Sequence, residues 1–163
     1  KRLNDTMVEG VEVLSYRKLP DDAENAMSIV AACDYTIVLR DDYENGLSMT
    51  AEEFYHGILD FIENGNLNIV KKTKKGEKEM DLKPLIYEAH RGVDGNGLFL
   101  QLSSGSAANV KPELVLEAYC KSLGKEYPQF AFRINREEVY ADAGEHDFVT
   151  LESFGEEIGE HVG

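Results

Sequence analysis

Between residues 34 and 136 the spacing of apolar residues switches repeatedly between period two and period 3.6, and that order restricts the fold more than any other feature of the chain. Tyr35, Ile37 and Leu39 alternate with Thr36 and Val38, which predicts a strand over 34–40. Thr50-Ala-Glu-Glu53 has the spacing of a capping box, in which a hydroxyl and a carboxylate satisfy two amides at a helix start. Phe54, Ile58, Phe61 and Ile62 follow as an amphipathic stripe until Asn64-Gly65. Residues 67–73 read as a strand, and residues 71–84 as the rest of a projecting hairpin closed by Pro84. Leu85, Ile86 and Tyr87 lead into a turn-rich stretch that carries His90 and Arg91. Leu98, Leu100 and Leu102 then mark a strand, and Pro112 opens a second helix that ends at Gly124. Phe130, Phe132 and Ile134 alternate as the last strand.

Strand, helix, strand, hairpin arm, strand, helix, strand is the βαββαβ order of a ferredoxin-like α+β fold, an antiparallel sheet with both helices on one face and an inserted β-hairpin arm. Several strands are apolar on both faces, as Ile37 with Val38 and Leu98 with Phe99 illustrate, so the face away from the helices is expected to be covered. Ahead of this unit, residues 1–10 read as helix, 11–18 as strand and 23–32 as a short linking helix. The expected division is 1–33 as the remnant of an N-terminal unit, 34–140 as the ferredoxin-like domain with its arm at 71–95, and 141–163 as an acidic tail.

The chain has 163 residues, 42% of them hydrophobic and 29% charged, which places it among globular proteins. No apolar run approaches the length of a membrane span and no signal peptide is visible, so a cytoplasmic protein without a membrane partner is expected. Cys33 and Cys120 have neither CxxC spacing nor a nearby histidine pair and read as reduced core residues. No cofactor or metal motif is present in the sequence, and Asp41, Asp42 and Glu44 read as a solvated loop. The net charge is -14, and residues 137–163 hold much of the acidity without a single Lys or Arg. Such a block is expected to be loosely ordered, with Phe148, Val149, Leu151, Phe154 and Ile158 available as apolar anchors.

Against that background KKTKKGEKEMDLKP, residues 71–84, is a local reversal of charge. Lys71, Lys72, Lys74, Lys75 and Lys78 could grip phosphates, while the plainer reading is an edge guarded by lysines. Ser104, Ser106, Asn109 and Lys111 lie between a strand and a helix start, where amides and hydroxyls could hold an anion, although the spacing and lysine of a P-loop are missing. Arg133 and Arg136 stand three apart on a predicted strand and converge only if a bulge intervenes. No Ser-His-Asp order and no HExxH is present, so no catalytic residue is assigned. His56 reads as a surface residue, and His90 is the single candidate for a general base near the arm.

TKKG at 73–76, MDLKPLI at 80–86, GSAANVKPE at 105–113 and RINR at 133–136 resemble the C-terminal portion of the radical SAM-linked protein family, also called domain of unknown function 2344. Lys111 stands where the family usually has Arg, and Ala107 or Ala108 replaces one of its glycines. The resemblance implies a preceding ferredoxin-like unit, with residues 1–19 as its last helix and strand. It also implies a radical SAM protein as partner, a link to RNA or the ribosome, and an outline similar to CRISPR RNA-processing proteins. The function expected from it is an RNA- or ribosome-associated adaptor without catalysis of its own, with a ribonuclease-like enzyme as the alternative. Oligomeric state is left open.

Overall fold

The computed structural model describes residues 3–42, 46–73, 76–93, 95–105 and 108–157, and for 71–73, 78 and 157 the backbone alone. Along the chain run β1 (Arg17–Lys18), α1 (Ala26–Ile29), β2 (Val30–Leu39), α2 (Ala51–Asn64), β3 (Asn68–Thr73), β4 (Gly76–Asp81), β5 (Ile86–Arg91), β6 (Leu98–Ser103), α3 (Pro112–Ser122), β7 (Phe132–Asp142), β8 (Phe148–Thr150) and β9 (Glu156–Glu157). Five strands form one antiparallel sheet in the order β5-β6-β2-β7-β8, while β3-β4 and β1-β9 are separate two-stranded ribbons. The fold is α+β, as the alternating periods predict.

Both predicted helices form, α2 after its capping box and α3 from Pro112. Thr50 accepts from the Glu53 amide while the Glu53 carboxylate accepts from the Thr50 amide at 2.7 Å, so the capping box closes reciprocally. The Thr50 amide and with it the Thr50 hydroxyl both donate to the Glu53 carboxylate and hold it below its ordinary pKa. Phe54, Tyr55, Ile58 and Ile62 of α2 and Val115, Leu116, Tyr119 and Cys120 of α3 share one core with Ile37, Leu39, Leu98, Leu100 and Leu102. Phe54 and Tyr119 meet edge to face at 5.2 Å, which locks the two helices side by side on that face of the sheet. Each such fully buried Leu, Ile or Phe stabilises the fold by about 1.5–3 kcal/mol through removal from water. Cys33 and Cys120 are free and buried in this core, and burial pushes the Cys120 thiol up to about 11.

Several boundaries differ from the sequence reading. The strand read over 67–73 belongs to the arm, which occupies β3 and β4 rather than 71–95, and its place in the main sheet is taken by β5. His90 and Arg91 therefore sit on a strand instead of a loop. β2 begins at Val30 because β7 runs on to Asp142 and offers a pairing partner as far as Ala141. The linking helix is correspondingly cut to four residues. Near the N-terminus only a single 3-10 turn, Asn4–Thr6, and the two residues of β1 are regular, since 11–15 have no ladder partner among the described residues.

The acidic tail is paired along its described length: β8 joins the main sheet at the end of β7, and β9 pairs with β1 in the separate ribbon, where Arg17 bridges Glu152 at 2.9 Å. Its apolar anchors explain this order. Phe148 packs on Tyr87 at 4.8 Å, and Leu151 and Phe154 line a 390 Å³ hollow with Leu19, Pro20 and Ile29. Ile158 lies outside the described residues. Tyr87 belongs to the first strand in the sheet order and Phe148 to the last, so the sheet curls until its two ends touch. On the face away from the helices Ala32, Asp34 and Ser103 are buried, whereas Glu88, His90, Arg133 and Asn135 stay exposed, so the expected cover extends over one end of that face.

Candidate functional site

The basic segment forms an antiparallel hairpin from Asn68↔Asp81 to Thr73↔Gly76, with Gly76 at φ 123°, a value that glycine adopts without a Cβ penalty. Its root is fixed by buried Leu67 and Leu82, joined by a hydrogen bond from the Leu82 amide to the Leu67 carbonyl, and by Ile69 and Met80 packed against the core. The register sets Lys71 opposite Lys78 and Lys72 opposite Glu77. Facing positions share a side of a hairpin, so the register positions 71 and 78 continue the side of Ile69 and Met80, and positions 72 and 77 the side of Val70 and Glu79. Lys74 and Lys75 lie outside the described residues.

The loop after β6 is closed on itself. The Gly105 amide donates to the Ala108 carbonyl, the Val110 amide to the Ser103 carbonyl and the Ser103 hydroxyl to the Ala108 carbonyl, while Ser104 and Asn109 form a bridge. These amides are therefore spent within the loop, and at the start of α3 Lys111 makes no side-chain cap before Pro112. Ser106 lies outside the described residues. Of the residues read as an anion cradle, Lys111 lines an open trough of about 900 Å³ beside α3.

Arg133 and Arg136 pair with Val38 and Tyr35, positions of opposite parity on β2, so they occupy opposite faces of the sheet. The bulge in β7 falls after Arg136 and does not bring them together. Arg136 faces the helix side, near enough to Tyr35 to oppose the burial that raises that phenol to about 12. Arg133 lies on the other side, near the Arg40–Asp42 ion pair. Neither arginine is thereby joined to the arm.

The far face carries a polar network that the sequence reading overlooked. Asp34 is buried, and its two carboxylate oxygens accept from Gln101 Nε2 at 2.9 Å and from the Tyr140 hydroxyl at 2.7 Å. Burial first, and then the hydrogen bond to Asp34, raise the Tyr140 phenol well above its ordinary pKa of 10.0. His90 stacks on Phe99 at 4.5 Å, with Nδ1 2.6 Å from the Arg91 carbonyl and Nε2 3.5 Å from Glu88. None of these partners belongs to the arm. A signal for the network did exist: Gln101 is a polar residue inside LFLQLS, and Asp34 interrupts an apolar run from Val30. Their meeting with Tyr140, 106 positions from Asp34, leaves no local trace. Among the described residues no group of three or more His, Cys, Asp or Glu is arranged to hold a metal ion, and no helix is long and apolar enough to cross a membrane.

Neither the curated proteins nor the solved structures contain a match to the chain. A family model described as "Uncharacterized protein conserved in bacteria (DUF2344)" matches residues 1–112, a stretch that includes the arm and the loop before α3 but not RINR. The match spans more than half of the 163 residues, and the chain belongs to that family.

Proposed function

We propose that the hairpin arm is a polyanion-binding element and that its ligand is RNA. The observation that carries this reading is the register. A chain with 31 acidic residues places Glu77 across from Lys72, yet sets Lys78 across from Lys71. Like charges directly opposite in a hairpin cost stability, on the order of 0.2–1 kcal/mol. An anion between the two removes that cost, as a phosphate would. The strand order supports a ferredoxin-like unit with β8 added: numbered as the strands of βαββαβ, β5-β6-β2-β7 reads 2-3-1-4. A radical SAM protein as the partner that acts on the bound RNA rests on the family resemblance. The position of His90, stacked on Phe99 and held by Glu88 and the Arg91 carbonyl, favours binding over cleavage, because a base for RNA scission has to reach the ligand on the arm.

Fluorescence anisotropy with a labelled single-stranded RNA separates the two sides of the hairpin. Lys71→Glu is expected to weaken binding several-fold more than Lys72→Glu, whose lysine is already answered by Glu77. Equal losses, or none, would remove the argument from register.

A further inference from the structure

We infer that the uncovered end of the sheet face away from the helices is a second contact for single-stranded RNA, where an unpaired base stacks on the Phe99 ring. The site rests on the RNA reading of the arm for its class of polymer, and on the face itself for what it holds. His90 pairs with Phe99, Phe99 with Thr36 and Thr36 with Asn135, so one rung crosses the adjacent strands β5-β6-β2-β7. These side chains point away from the helices, because their neighbours Leu98, Leu100, Ile37 and Ile134 point into the core. His90 and Asn135 are exposed, and Phe99 and Thr36 are half-buried.

Three properties of the rung select a nucleotide. The first is stacking. The His90 and Phe99 rings lie 4.5 Å apart and within 13° of parallel. The side of the Phe99 ring turned from His90 looks over Thr36, which is too small to cover it, and among the described residues no other ring meets Phe99. A base laid there continues the stack. His90 enters only as a ring: Nδ1 lies 2.6 Å from the Arg91 carbonyl and Nε2 3.5 Å from Glu88, so both nitrogens are engaged and no catalysis is assigned to it.

The second property is hydrogen bonding. At the covered end Asp34, Gln101 and Tyr140 satisfy one another, whereas the Thr36 hydroxyl and the Asn135 amide have no hydrogen-bond partner among the described residues. Together they offer donors and acceptors beside the open ring, as the edge of a base requires. The third is charge. Arg133 is exposed and lies two residues along β7 from Asn135 on the same face, about 7 Å away. Its charge reaches Asp42, which Arg40 already holds with two hydrogen bonds, so Arg133 is left to neutralise a phosphate next to the stacked base. The acids of the face are placed elsewhere: Glu88 lies beside His90 at the opposite edge, and Glu138 accepts from the Val139 amide at 2.8 Å. A protein partner fits less well, because Phe99 and Val38, the apolar residues of this end, are both half-buried and too few to form the apolar centre of a protein interface.

NMR titration with a short oligouridylate and a short oligoadenylate tests the site, with circular dichroism to verify folding. Amide shifts are expected at His90, Phe99, Thr36 and Asn135, together with an upfield ring-current shift of base protons that Phe99→Leu removes. In fluorescence anisotropy Phe99→Leu is expected to weaken binding about tenfold, and Thr36→Val and Asn135→Ala about threefold each. Arg133→Gln should make the salt slope shallower by about 0.7. If Phe99→Leu does not fold, Thr36→Val and Asn135→Ala, which leave the core intact, decide. Amide shifts confined to residues 68–81, or variants of the rung that bind like wild type, would overturn the site and leave the reading of the arm in place. Shifts confined to the rung, with Lys71→Glu binding like wild type, would overturn the reading of the arm and keep the site. A chain that shows no shift with either oligonucleotide would overturn both.

Discussion

The Tyr140 hydroxyl donates to Asp34 Oδ2 at 2.7 Å across the centre of the curled sheet, and it ties the last long strand to the first. With Gln101 on the other oxygen, the buried carboxylate is satisfied by neutral donors from both neighbouring strands. Tyr140→Phe keeps the ring and deletes one charge-assisted hydrogen bond, so a loss of about 1.5–3 kcal/mol in urea unfolding is expected. An unchanged midpoint would mean that water replaces the hydroxyl without cost.

The same tyrosine shapes the alkaline limit. Tyr140 is raised by burial and by Asp34, and burial also lifts Tyr35 and Tyr127 to about 12. A folded-state pKa above the unfolded value of 10.0 means that the native state binds the proton more tightly. The stabilisation is complete below pH 10 and is lost as pH rises through the folded values. Stability measured by denaturant at successive pH values should therefore decline from about pH 10 upward, and Tyr140→Phe should make that decline shallower.

Closure of the sheet depends on Phe148. Phe148→Ala removes its contacts with Tyr87 and Tyr140 at the meeting of the two ends. Because the ring is only half-buried, a cost of about 1.5–3 kcal/mol is expected, below the 3–5 of a fully buried Phe. Amides of β8 should exchange faster while those of β2 and β6 keep their protection. Uniform loss of protection would show that the curl does not open independently.

Gly57 tests helix packing through the sign of its effect. In a solvent-facing helix position Gly→Ala stabilises by about 1 kcal/mol. At Gly57 an added Cβ would collide with the Tyr119 hydroxyl, and the Tyr119 ring is boxed in by Phe54 and Phe61. Gly57→Ala is thus expected to destabilise, and Tyr119→Phe in the same chain to recover part of the loss. A gain in thermal midpoint from Gly57→Ala alone would contradict this packing.

What could be read from the residues was whatever is encoded locally. The capping box at Thr50 and the proline at 112 set both helices to within a residue, and Gly76, read as the tip of the arm, opens β4 opposite Thr73. The assignment of strands to sheets was less legible, because β3 and β5 both follow α2 and both alternate, and only pairing partners distant in sequence decide which joins β6. The order of the tail was likewise not legible, for a physical reason. Its charge dominates its composition, while the few apolar groups that order it, Phe148, Leu151 and Phe154, act through partners at Tyr87 and Leu19. The arm's lysines stood out at once in the sequence, but that position 72 falls opposite Glu77 and position 71 opposite Lys78 follows from the register alone.

The most direct test of the arm as an RNA-binding element is the salt dependence of binding for the wild-type chain and for Lys74→Glu/Lys75→Glu, whose positions adjoin the closing pair Thr73↔Gly76. Each phosphate neutralised on a single strand contributes about -0.7 to the slope of log K against log salt. The wild-type slope is expected to be about -2 to -4, as for three to five lysine contacts, with binding abolished in the double variant and its unfolding transition unchanged. Salt-insensitive binding, or binding that survives the double substitution intact, would contradict the account and leave the arm as a guarded edge.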